Sequence, residues 1–252
     1  MALGRPNLKS AADLAIMRQS GRIVAETLAL LTERVRPGMT TADLDKLAYE
    51  HIRSRGAVPS FKGYNGFPGS ICASVNDEIV HGIPGPRMLA EGDLISLDCG
   101  AFYRGFHGDA ATTVGVGPIA PAAQKMIDVG WESLSAGIQQ ARPGNRVEDI
   151  GATIQDVLES HGYGVVRDLV GHGIGRHLHE PPNVPNFGTR GQGPKLQPGM
   201  VLAIEPMLTQ GDYEGRTLAD EWTIVTVDGG LAVHVEHTVV VTEGEPEILT
   251  RL

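Results

Sequence analysis

Cysteine is nearly absent from this chain: only Cys72 and Cys99 occur in 252 residues. Two thiols 27 positions apart form no CxxC pair and no disulfide framework, so the sequence reads as a reduced, intracellular protein. Basic residues are also short, with 21 Lys and Arg against 30 Asp and Glu and a formal charge of −9. No Lys/Arg cluster is available to displace counterions from a phosphate backbone, which argues against direct nucleic-acid recognition. Long apolar runs are missing too. The longest, around 200–204 and 239–241, are strand-sized and far below the roughly 20 residues that span a bilayer. The start, Met-Ala-Leu-Gly-Arg-Pro, has no basic stretch leading into an apolar run, so no secretory signal is visible and a cytoplasmic location is expected.

What the chain has in excess is glycine and proline, 33 and 16 residues, against average usage of about 7% and 5%. With 41% hydrophobic and 20% charged residues, these imply many turns in a globular body rather than disorder. Ser10-Ala-Ala-Asp13 reads as a capping box, followed by an apolar helical face of Met17, Ile23, Val24, Leu30 and Leu31. Arg36-Pro37-Gly38 stops that helix, a second begins at Thr40 or Thr41, and Gly56 offers a left-handed exit. The order then recurs. A helix over 121–141 stops at Arg142-Pro143-Gly144, and the next, carrying Ile150, Ile154, Val157 and Leu158, exits at Gly162.

Arg-Pro-Gly at 36–38 and 142–144, Asp43-Leu44 and Asp149-Ile150, and Gly56 and Gly162 all share one offset of 106 residues. Further on, Gly92-Asp-Leu-Ile-Ser-Leu-Asp98 and Gly199-Met-Val-Leu-Ala-Ile-Glu205 match as glycine, five mostly apolar residues and a carboxylate. Asp98 and Glu205 are therefore equivalent positions in a duplicated unit, with repeats over roughly 10–116 and 119–242. Two such units predict an α+β fold: one pseudo-twofold domain over 1–252, with a shared antiparallel sheet and helices on one side.

Alternation in a strand over 94–101 puts Ser96 and Asp98 on one face, and a turn near Tyr103-Arg104-Gly105 brings Asp109 back roughly opposite Asp98 on that face. A strand over 233–241 aligns His234, Glu236 and Thr238, which makes Glu205 and Glu236 a second pair. Like charges about 4 Å apart repel by about 1 kcal/mol in water and several-fold more when partly buried. Four carboxylates converging on a twofold axis with no flanking Lys or Arg call for divalent cations, and a pair of them suits water activation for hydrolysis. His172, in Gly171-His-Gly-Ile-Gly175, sits among glycines that let backbone approach a ligand closely. That stretch is no dinucleotide loop, because the GxGxxG pattern is incomplete and no helix follows. Likewise His179-Glu180-Pro181-Pro182 is no zinc-protease helix, since prolines occupy its continuation.

The ordered set Asp98, Asp109, His172, Glu205 and Glu236 resembles the ligand set of the methionine aminopeptidases. Gly63-Tyr-Asn-Gly-Phe-Pro68, Ser74-Val-Asn-Asp77 leading to His81-Gly-Ile-Pro84, Gly105-Phe-His-Gly-Asp109, Glu205-Pro-Met207 and Glu236-His-Thr238 are similar to that family's motifs along nearly the whole chain. The resemblance implies a pita-bread fold and removal of the initiator methionine when the second residue is small. It implies Asp109, His172, Glu205 and Glu236 around one divalent ion and Asp98, Asp109 and Glu236 around another, of manganese, iron, cobalt or zinc, with Glu205 accepting a proton from the attacking water. His81 and His179 match histidines that hydrogen-bond the substrate and its tetrahedral intermediate. Tyr64, Phe67, Cys72 and Trp222 match, or lie at, the walls of the methionine pocket, whereas Phe67 and Leu178 stand where relatives carry other apolar residues. With Glu205 and Glu236 only 31 positions apart, no long helical insertion fits there, which favours the short bacterial type I architecture. The role implies N-terminal Met peptides as substrates, transient ribosome contact, a monomer and no membrane. The rival readings are an X-Pro peptidase, for whose added N-terminal domain no room is expected before Ser10, and a ligand-losing relative that binds a partner through the old cleft.

Overall fold

The structure, a computed structural model, describes residues 6–252; the start read above, residues 1–5, lies outside the described residues. The chain runs α1 (Ala11–Arg34), α2 (Thr41–Ser54), β1 (Val58–Pro59), β2 (Ile71–Val75), β3 (Glu78–Val80), β4 (Leu94–Tyr103) and β5 (Phe106–Gly115). It continues through α3 (Pro121–Gln139), α4 (Val147–Ser160), β6 (Gly164–Val165), β7 (Gly171–Gly173), β8 (Glu180–Val184) and β9 (Val201–Ile204). The last strands are β10 (Met207–Thr209), β11 (Gly215–Thr217), β12 (Ile224–Thr226), β13 (Ala232–His234), β14 (His237–Val240) and β15 (Glu247–Ile248).

The helix starts follow their sequence signals. Asp13 N donates to Ser10 Oγ while Ser10 N donates to Asp13 Oδ2, and Thr40 and Asp43 repeat the exchange at α2. Pro121 opens α3, where its missing N–H costs nothing. Gly38, Gly56, Gly144 and Gly162 all take left-handed φ, between 75° and 97°, which is why each helix exit carries a glycine. α3 ends at Gln139, two residues before the predicted stop, because Gln140 and Ala141 tighten into i→i−3 bonds.

Each helix pair covers its own core. Leu44, Ile52, Ile71, Ile95 and Leu97 are buried beneath α1 and α2, and Ile150, Ile154, Leu202, Val233 and Val239 beneath α3 and α4. α1 approaches β5 closely because both surfaces are glycine there: a Cβ on Gly108 would lie 2.9 Å from Gly21 N. Among the described residues no helix is long and apolar enough to cross a membrane.

Instead of the one shared sheet expected, the strands form four separately hydrogen-bonded antiparallel sheets, joined across the halves by side-chain and backbone bonds. At the seam between β5 and β14, threonine hydroxyls replace ladder bonds. Thr238 Oγ1 accepts from Asp109 N at 3.0 Å and donates to Asp109 O at 2.7 Å, while Thr113 Oγ1 bridges the N and O of His234. The strand expected over 233–241 breaks at Val235 and Glu236, because the Glu236 N–H turns to Ala111 O across the seam. The β4–β5 register differs by two residues from a direct Asp98–Asp109 pairing: Arg104 and Gly105, both at positive φ, form a two-residue turn that pairs Tyr103 with Phe106. Asp98 therefore faces Ala111, and Asp109 faces Gly100. The two aspartates are diagonal neighbours on one face rather than directly opposite.

Candidate active site

All eleven residues singled out from the sequence line one cavity of about 320 Å³: Tyr64, Phe67, Cys72, His81, Asp98, Asp109, His172, His179, Glu205, Trp222 and Glu236. Asp98 and Cys72 are paired across β4 and β2, so both side chains leave the sheet on the cavity face. Asp109 comes from β5, Glu205 from the residue after β9, and Glu236 from the break between β13 and β14. Asn186 fixes the Glu205 backbone by donating to its carbonyl at 2.9 Å.

His172 owes its aim to its neighbours. Its Nδ1 lies 2.9 Å from Gly173 O, so the Nδ1–H donates there and the Nε2 lone pair faces the carboxylates. The flanking glycines make room for the adjoining strands. A Cβ on Gly171 would strike the Ala203 carbonyl, and one on Gly173 the Pro181 carbonyl. Asp109, His172 and Glu236 bring donor atoms within 4.8 Å of one another, as do Glu205, His234 and Glu236. Asp98 belongs to neither trio, yet lies in the same cavity.

The electrostatics show a site short of positive charge. Burial, joined by the negative charge of Glu205, pushes Asp98 up to about 7 against the opposing pull of His234. Burial and the neighbouring carboxylates push Asp109 and Glu236 well above the usual range. For Glu205 burial also acts upward, but His234, His172 and His81 outweigh it and hold this carboxyl below its ordinary value. Asp98 Oδ1, Asp109 Oδ1, Glu236 Oε1 and His234 Nε2 are buried without hydrogen-bond partners, and no Lys or Arg lines the cavity. Orphaned carboxylate oxygens with imidazole nitrogens are the donor set that divalent cations take, so the residues fit a metal centre.

Around this cluster stand neutral groups. Burial lowers His81, and burial with the nearby His172 takes His179 down to about 4. The His179 ring lies 4.2 Å from that of His172 by centroids, and its Nδ1 is 2.7 Å from the Tyr64 hydroxyl. His81 is held at φ 59°, outside the range L residues favour. Its ring faces Trp222 edge-on at 6.3 Å, and Trp222 packs edge-on against Phe67 at 5.1 Å. Burial, with Asp98 and Asp109 nearby, raises the Cys72 thiol well above its usual value, so it stays protonated.

Three features were not assigned from sequence. His234 joins the carboxylates, a role that its alternation with Glu236 could have signalled. Phe61 and Met207 complete the apolar wall. Lys9 reaches Glu180 at 2.6 Å in a pair whose side chains are 3% and 4% exposed. Glu180 also accepts the His177 N–H, so Lys9 anchors the loop that carries His179.

Residues 15–243 match the model of metallopeptidase family M24. The chain is 54% identical over 244 residues to a methionine aminopeptidase of Clostridium acetobutylicum, covering 96% of this chain and 98% of that protein. It is 52% identical to methionine aminopeptidase 1 of Bacillus subtilis, covering 97% and 98%. The crystal structure of the Thermotoga maritima methionine aminopeptidase superimposes with a TM-score of 0.97 at 42% identity, covering 98% of this chain and all of that one. The prolidase of Pyrococcus furiosus shares the fold alone, at a TM-score of 0.79 and 21% identity. The chain belongs to metallopeptidase family M24.

Proposed function

We propose that this chain is a metal-dependent methionine aminopeptidase that removes the initiator methionine from nascent proteins whose second residue is small. The observation that carries this reading is the meeting, in one cavity, of a cation-deficient carboxylate–imidazole cluster and a wall of thiol and aromatic side chains. Asp109, His172, Glu205 and Glu236 would hold one divalent ion, and Asp98, Asp109 and Glu236 a second, drawn from manganese, iron, cobalt or zinc. When bound, such ions supply Lewis acidity that polarises a carbonyl and acidifies water.

The chain's own residues do the rest. Glu205, kept ionised by its imidazole neighbours, accepts the proton of the attacking water at its carboxylate. With the Tyr64 hydroxyl donating to Nδ1, His179 keeps its proton on Nε2 and donates it to the substrate carbonyl oxygen. His81, also neutral, donates to the substrate from the opposite wall, and both stabilise the oxyanion as charge develops. Tyr64, Phe67, Cys72 and Trp222 receive the methionine side chain, where a thioether gains from sulfur and aromatic contacts. Residues 1–252 act as one catalytic domain of two repeats. That role places the chain in the cytoplasm in transient contact with ribosomes, and we read it as a monomer.

The test is hydrolysis of Met-Ala-Ser and Met-Lys-Ser by chelated protein with each metal restored in turn. Methionine is released from the first peptide alone, and only with metal. Silence under every metal from folded protein would favour a partner-binding cleft, and cleavage of an Ala-Pro peptide instead would favour an X-Pro peptidase.

A further inference from the structure

His234 stands outside the five-residue ligand set implied by resemblance, yet it is built into the same cluster. Its side chain is 3% exposed, and Nε2 lies 3.4 Å from Glu205 Oε2 and 4.0 Å from Glu236 Oε2. Despite that proximity, Nε2 makes no hydrogen bond. The His234 backbone is fixed at the seam, where its N–H donates to Thr113 Oγ1 at 3.1 Å and its carbonyl accepts from Thr113 Oγ1 at 2.8 Å.

Glu205 thereby faces an imidazole on each oxygen: His172 Nε2 stands 3.7 Å from Oε1, and His234 Nε2 stands 3.4 Å from Oε2. Donors that share one ion, each about 2.0–2.2 Å from it, lie about 3–3.5 Å apart. The His234–Glu205 separation matches that spacing, and Glu236 closes the trio.

We infer that His234 is a sixth metal ligand, giving the centre a second imidazole nitrogen beside Glu205 and Glu236. The inference rests on the metal reading under Proposed function. A nitrogen donor in place of oxygen moves the preference of the site from manganese toward iron, cobalt and zinc.

The test uses the full chain loaded with cobalt to two ions, with content measured after dialysis and the cobalt K-edge X-ray absorption recorded. Outer-shell scattering in the wild type corresponds to two imidazoles per pair of ions. In His234→Gln it falls to one, and cobalt binds at least about tenfold more weakly. One imidazole per pair in the wild type overturns the inference, whatever the variant does. Should His234→Gln fail to fold, the wild-type count alone decides. Unchanged scattering and affinity in the folded variant also overturn it. A folded wild type that takes up no cobalt overturns the metal reading itself.

Discussion

Both halves of the molecule open on a pair of helices, but they build their strands differently. In the first, β4 and β5 form an unbroken ladder of ten residue pairs closed by a two-residue turn. In the second, the corresponding carboxylates sit where strands stop: Glu205 after the four residues of β9, and Glu236 in the gap between β13 and β14. Asp98 and Asp109 are thus placed by register, and each stays on its face as long as the ladder holds. Glu205 and Glu236 are released from that alternation, and their backbones are held by Asn186 and by Ala111 O instead. One half supplies a frame, and the other supplies groups free to point where the chemistry requires.

Removing a ladder-held carboxylate tests the frame most severely. Asp109→Asn is expected to abolish uptake of both metals together and bring hydrolysis to the level of metal-free protein, as measured by metal content and methionine release. Glu205→Gln tests the freed group, and kcat should fall about 10²- to 10⁴-fold with a smaller change in KM. Retention of full activity by either variant would refute its assigned role.

The remaining comparisons concern stability, measured by urea unfolding. Lys9→Met strands a buried carboxylate and should cost about 3–5 kcal/mol. Burial acts to raise Glu180, but Lys9 and the His177 N–H outweigh it and hold the folded value below the usual 4.5. A lowered folded value means that the contribution of the ion pair is present above about 4.5 and is lost as pH falls through the folded value. The stability difference between wild type and Glu180→Gln should therefore shrink between pH 7 and pH 4. Thr238→Val leaves Asp109 N and O unpaired at the seam and should cost about 1–3 kcal/mol. Thr40→Ala, which removes a cap from the first half, should cost about 1 kcal/mol.

Legibility from sequence follows the same division. Helix starts, glycine exits and the duplication are local signals, and residues such as Ser10, Thr40 and Gly144 occupy the positions those signals indicate. Asp98 and Asp109 are legible because a tight turn fixes alternation, although the two positive-φ residues at 104 and 105 move the pairing by two residues. The break at Glu236 was not legible, since it depends on a seam bond to Ala111, 125 positions earlier. Lys9 and Glu180 were silent for the same reason: a contact across 171 positions leaves no mark on either local stretch. Cavity membership of all eleven site residues is consistent with their reading from motifs; the sixth, His234, lay in plain alternation with Glu236 and went unassigned.

The seam has a consequence for how the molecule holds together. With the donors assigned above, Asp98 and Asp109 come from one repeat and His172, Glu205 and Glu236 from the other, so the complete two-ion centre would form only when the repeats have closed on each other. Occupancy of that complete centre would act by mass action on the closed molecule, adding about 2.7 kcal/mol of stability when free metal reaches 100 times its Kd. Ions shared across the seam would be a clasp between the repeats, and a polypeptide whose halves have docked wrongly could not complete the two-ion centre, so catalytic competence would double as a report of correct assembly.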